Sequence, residues 1–269
     1  MKVSRRLQVG FLATFFAALL FATQALGTTW FRELSVFDER AHIDYVLRLA
    51  ESEPPVWGDR LTPATIGIVA ELCGDASDGS CYVDKDFNPD SMWGSGYSYQ
   101  AQQGPVGYLW YAAAANILIS PEVDALSKVV ALRLAGSLGF LVVATLWGLT
   151  LSRLTTSRLA ALGSTAIFAL NPLVFNGFSY VTNDGTALIV GMLSIFATAL
   201  ALRGDESSRR LAVWLTPAIG VLIGLTKPTL VVVPSVVLLA MLIARLVRKS
   251  RLPKVPQWLL LVQIVLGIM

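Results

Sequence analysis

The chain has 269 residues, 55% hydrophobic and only 14% charged, too few charges to solvate the surface of an ordinary soluble domain. That excludes a cytosolic globular enzyme, and a nucleic-acid-binding protein too, because the 21 Lys and Arg fall in short clusters between apolar runs rather than on one basic face. The net charge of +3 conceals a segregation: fifteen of the 18 acids but only six bases lie between Gly27 and Val129, a net −9 for that stretch.

A hydrocarbon core of roughly 30 Å takes about 20 apolar helical residues to cross. Runs of about that length predict six spans, near Val9–Leu26, Val129–Leu151, Leu159–Phe178, Thr186–Leu202, Leu211–Leu225 and Leu230–Leu246. A seventh begins at Trp258–Met269 and is too short to finish a crossing. The first run also fits a signal sequence, with Lys2, Arg5 and Arg6 before it and Ala22–Ala25 near its end. The expected fold class is an all-α, multi-spanning membrane bundle. Its large first loop, residues 28–128, carries amphipathic surface helices.

Orientation follows from the basic clusters Lys2/Arg5/Arg6, Arg153/Arg158, Arg203/Arg209/Arg210 and Arg245/Arg248/Lys249/Arg251/Lys254, which alternate spans place on one face. These thirteen bases meet two acids, Asp205 and Glu206. The expectation is a multi-pass plasma-membrane protein with a cytoplasmic N-terminus and an extracytoplasmic first loop. The short Ser179–Gly185 turn shares that outer face. Cys73 and Cys81, with seven residues between them in the outer loop, are expected to form a disulfide on the oxidising side. Their spacing and the single His in the chain match no zinc pattern.

Within the loop, Ile43, Val46, Leu47 and Ala50 recur at helical spacing before Pro54-Pro55, predicting an amphipathic helix along the membrane surface. Asp38 and His42, one turn apart, share its other face. Asp38 also suits a helix N-cap, and Glu39, Arg40 and Asp44 suit a solvated face. Next, Gly94 to Tyr111, rich in Tyr and Gln, leads into an apolar helix too short to span, where aromatic residues suit an interfacial belt. Arg133, just inside the second span, either snorkels to headgroups or holds a lipid phosphate. Asn183-Asp184 reads as a polar turn capping the fourth span. Lys227, between Thr226 and Pro228, puts a cation at the outer boundary, a functional candidate that also fits snorkelling.

In this order the pieces resemble the GT-C superfamily of integral-membrane glycosyltransferases, in the branch of the protein mannosyltransferases and bacterial aminoarabinose transferases. Asp38-Glu39-Arg40-Ala41-His42 is similar to that branch's Asp-Glu and following His after the first span. Gln103-Gly104-Pro105-Val106-Gly107-Tyr108 stands where the family reads His-Pro-Pro-Leu-Tyr-Tyr, with Gln103 replacing the His. Arg133 to Ser137, Asn183-Asp184 and Thr226-Lys227 occupy the remaining motif positions. The likeness covers nearly the whole chain through short, degenerate motifs. Family members continue for several more spans, so it implies that residues 1–269 are an incomplete GT-C-like domain.

The resemblance implies inverting transfer of a sugar from a polyprenyl-phosphate donor to an acceptor at the outer face. Asp38 is then the general base, with Glu39 assisting it or holding a metal; some family members use a divalent cation and others none. His42, Arg133 and Lys227 are the candidates for the phosphate, and Asp184 for orienting donor or acceptor. Gln103, Tyr108 and Asn183 complete the expected substrate contacts. A second reading is a non-catalytic or truncated relative, consistent with the missing His-Pro-Pro. A secondary transporter is a third, disfavoured because the charges gather at the outer surface and no internal repeat is visible.

Overall fold

The computed structural model describes residues 5–28, 34, 39–73, 97–120, 122–203, 205–248 and 255–268. Among them the architecture is helical throughout, and extended pairing is confined to a single bridge between Arg60 and Tyr97. The membrane-length helices are α1 (Arg5–Thr28), α5 (Ala125–Leu154), α8 (Asp184–Arg203) and α9 (Glu206–Thr226). Between α5 and α8 lie α6 (Arg158–Ala169) and α7 (Pro172–Ser179), and beyond α9 come α10 (Val232–Arg248) and α11 (Val255–Ile268). The first loop contributes α2 (Glu39–Ala50), α3 (Pro63–Cys73) and α4 (Val106–Leu118).

Four described helices are thus long and apolar enough to cross a membrane, five if α6 and α7 are one bent span, rather than six. The third expected span is broken because Asn171 precedes Pro172, which disfavours helical backbone at Asn171. Asn171 instead caps α7, accepting from Leu173 N at 2.9 Å, and the axis bends by 59°. The sixth and seventh runs form α10 and α11, of 17 and 14 residues. The fifth gains length because Asp205 caps α9 ahead of the apolar run, and α9 continues through its internal Pro217.

α1 packs on α5 through glycines. A Cβ on Gly148 would overlap Thr14 Oγ1 and come within 2.5 Å of the Gly10 carbonyl oxygen, so the two backbones cross in near contact. Small residues serve this purpose where lipid tails remove the hydrophobic drive for helix association. Val9 and Ala13 of α1 fill the adjoining space with Leu151 and Ala161, and Phe21 stacks on Phe140 at 4.0 Å.

α5 spans 30 residues, roughly 45 Å at 1.5 Å per residue, about 15 Å more than a hydrocarbon core. Its surplus first turns carry α2, α3 and α4, which share a buried cluster of Ile43, Val46, Ile68, Tyr108, Ala115, Val129 and Leu132. This corrects the expectation of a surface helix at residues 39–50. Ile43 and Val46 are buried as the periodicity predicts, but so are Glu39, His42 and Asp44 on the supposed solvated face. Asp44 accepts from Thr62 N at 2.7 Å and from the Thr62 and Thr65 hydroxyls at 3.0 Å, tying α2 to the start of α3. Arg48, one turn on, donates to the other Asp44 oxygen at 3.0 Å.

Two predictions follow from these contacts. Gly148→Val is expected to lower the thermal unfolding midpoint in detergent, at a cost of about 1–3 kcal/mol from overpacking. Gly163→Ala, whose Cβ meets nothing within 4 Å, is expected to stabilise slightly through helix propensity. Separately, hydrogen bonds from Ser208, by side chain and N–H, and from the Ser207 hydroxyl hold the Asp205 carboxyl down to about 2. Its folded-state pKa being depressed, its contribution is present above the ordinary carboxylate value of about 4 and is lost as pH falls towards about 2. Asp205→Asn keeps a capping side chain, and acid titration of its unfolding midpoint is expected to show a shallower loss over that window.

Candidate functional site

The helices alternate direction, so the start of α8, the end of α9 and the junction of α2 and α4 with α5 meet at the end of the bundle opposite its basic termini. The 20 residues of α8 place Asp184 roughly 30 Å from the basic end, about one hydrocarbon thickness away. Of the expected site residues, Glu39, His42, Gln103, Tyr108, Arg133, Asn183, Asp184 and Lys227 lie at this end.

Arg133 is wholly enclosed. Its Nε and Nη2 donate to Glu39 Oε1 and Oε2 at 2.9 and 2.7 Å, a two-pronged pair in which neither side chain has any exposure. Glu39 Oε1 also accepts from Val181 N at 3.0 Å, and the guanidinium lies 5.2 Å from the Tyr180 ring centroid. α2, α5 and the α7–α8 turn are therefore joined at one charge pair. Arg133 does not snorkel, and Glu39 is not presented to solvent.

A second chain of contacts runs through α4. The His42 Nδ1 and Tyr108 hydroxyl lie 2.7 Å apart, and Tyr108 stacks on Tyr45 at 4.0 Å. The Tyr45 hydroxyl donates to the Gln103 carbonyl at 3.1 Å, while the Gln103 side chain accepts from Asn183 Nδ2 at 3.2 Å. Thr186 closes the ring by donating to the Gly107 carbonyl at 2.9 Å. Gly104 permits this arrangement, since a Cβ there would overlap the Leu225 carbonyl at the end of α9. Next to it, Lys227 Nζ pairs with Asp184 at 2.5 Å, both side chains partly exposed.

Tyr111 lies between the two groups. Its hydroxyl contacts the Tyr180 carbonyl at 3.4 Å and fills the space a Cβ at Gly136 would need. Burial pushes its phenol far above the ordinary value, and the Glu39 and Asp184 carboxylates add to that rise. Tyr45, Tyr111 and Tyr180 had no expected role, and Gly104 entered only as part of the Gln103–Tyr108 motif. Of the three tyrosines only Tyr45 carried a signal, one turn from His42 on the same helix face.

Asp38 and Cys81 lie outside the described residues, as does the side chain of Cys73, and the expected disulfide falls there too. Among the described residues, no group of three or more His, Cys, Asp or Glu side chains is placed to hold a metal ion.

The buried pair makes a testable demand. Arg133→Met alone strands the Glu39 carboxylate, and a cost of about 3–5 kcal/mol is expected in unfolding measurements in detergent. Adding Glu39→Gln, which keeps an acceptor for Val181 N and removes the charge, is expected to recover a large part of that loss. Additive losses would mean that the two side chains are not coupled.

Comparison with protein-family models, with curated proteins and with solved structures returns no match for this chain.

Proposed function

We propose that this protein transfers a sugar from a polyprenyl-phosphate donor to an acceptor hydroxyl at the acid-rich face of a cell membrane, with the N-terminus on the opposite, cytoplasmic face. One observation supports the reading above others. Glu39, His42, Gln103, Tyr108, Arg133, Asn183, Asp184 and Lys227, chosen from sequence for that chemistry, gather at one end of the bundle in linked contacts. They do so about one hydrocarbon thickness from the basic end, the depth at which the phosphosugar of a lipid-borne donor would sit.

In this mechanism Asp38 removes the proton of the acceptor hydroxyl as its oxygen attacks the anomeric carbon. The bond from that carbon to the phosphate oxygen breaks, and polyprenyl phosphate leaves with the electron pair. Lys227, the partly exposed cation of the site, meets the phosphate by exchanging its Asp184 partner for it. Asp184 is then free to accept from a sugar or acceptor hydroxyl. Arg133 acts at one remove, because its grip on Glu39 fixes the residue that follows Asp38 in the chain.

A second reading, a relative with this architecture and no transfer activity, draws on a different aspect of the same contacts: Arg133 and Lys227 each already hold a carboxylate. Reconstituted protein supplied with polyprenyl-phosphate sugars separates the two. Transfer by the wild type is expected to fall about 10²- to 10⁴-fold in Asp38→Asn. Lys227→Ala is expected to raise the KM for the donor more than it lowers kcat. Wild-type rates in Asp38→Asn would overturn the assignment of the base, and no transfer from any donor would favour the second reading.

A further inference from the structure

The opposite end of the bundle carries a basic seam that the proposed chemistry does not use. Arg5 and Arg6 open α1, and Arg158 opens α6, which packs alongside it. All three side chains are exposed. Arg158 Nη2 donates to Gln8 Oε1 at 2.8 Å, clasping the two helices together. Arg5 precedes Gln8 by three residues and so shares its helix face, next to Arg158. Arg6 precedes Gly10 by four residues and faces the end of α5, where a Cβ on Gly10 would lie 3.1 Å from Ser152 Cβ. Arg153 follows Ser152 there.

Acids at this end are committed elsewhere. Asp205 accepts from Ser207 and Ser208 and feels the charge of Arg153, and Glu206 pairs with Arg210. Among the described residues no carboxylate pairs with Arg5, Arg6 or Arg158. Gln8, which holds Arg158, lies one turn from Phe11 on α1, where Leu7, Phe11 and Phe15 form one exposed apolar strip, and Leu159 is exposed beside Arg158.

Guanidinium groups without acid partners, placed above an apolar strip at a helix seam, match a ligand with an anionic head and a hydrocarbon tail. We infer that the α1–α6 seam binds an anionic phospholipid. Arg5 and Arg158 take its phosphate, Arg6 adds to the field, and the acyl chains lie along Leu7, Phe11 and Phe15. The apolar strip selects the lipid headgroup over free phosphate, which would gain nothing from it.

Protein in phosphatidylcholine nanodiscs, with and without phosphatidylglycerol, tests this. Phosphatidylglycerol is expected to associate with the wild type, measured with a spin-labelled analogue, and to raise its unfolding midpoint. Arg5→Gln/Arg158→Gln is expected to weaken that association about 30-fold, at roughly fivefold per arginine. Arg209→Gln/Arg210→Gln, matched in charge change but away from the seam, is expected to retain it. Equal losses in both double variants would reduce the effect to diffuse charge and overturn the site. An undiminished association in the seam variant, or inorganic phosphate alone reproducing the stabilisation, would overturn it as well.

Discussion

A guanidinium cut off from water at the edge of an apolar layer must be answered by a carboxylate held in matching geometry, and the rest of the acid-rich end is organised around that requirement. Arg133 sits on the longest helix, and its answer comes from Glu39 on a helix some ninety residues earlier. The pairing draws the head of α2 onto α5, and Val181 N, bonded to the same carboxylate, brings the start of α8 with it. Such a pair is a poor source of net stability, because desolvation of both charges offsets much of their attraction. Its effect is on specificity: any other docking of the first loop would leave a buried charge unanswered.

The length of α5 gives this pairing something to organise. A helix that outruns the hydrocarbon core by several turns offers an apolar wall beyond it, and α2, α3 and α4 bury their own apolar faces there instead of on the membrane surface. Polar groups buried with them are satisfied locally. Asp44 takes up the start of α3, the His42–Tyr108 contact links α2 to α4, and Gln103 with Asn183 links the preceding turn to α8. A layer built this way holds side chains at the membrane boundary with little freedom.

Deeper in the bundle, order depends on small residues. Gly10 against Gly148, Gly177 against Gly185, and Gly220 against Leu266 bring backbones together where hydrophobic burial gives no preference for one neighbour over another. The break at Asn171-Pro172 has the opposite effect, turning α7 across the bundle so that the Phe178 carbonyl reaches Ser137 of α5 at 3.2 Å. The bent pair leads into the Ser179–Asn183 segment, whose Val181 N and Asn183 side chain meet Glu39 and Gln103.

The sequence by itself determined whatever depends on composition and period: helical class, the positions of α1, α5, α8 and α9, and the segregation of charge between the two ends. It also singled out Arg133, Asp184 and Lys227, because ionisable groups in apolar runs are conspicuous. Only the tertiary structure decided how those groups pair, since Glu39 with Arg133 and Asp184 with Lys227 are contacts across long stretches of chain that no spacing encodes. The same holds for α2. Its periodicity identified one buried face, but α3, α4 and α5 cover its polar face as well, and burial of that kind is a property of neighbours rather than of the helix. Residue spacing describes one element against an imagined solvent; the packed bundle supplies the actual one.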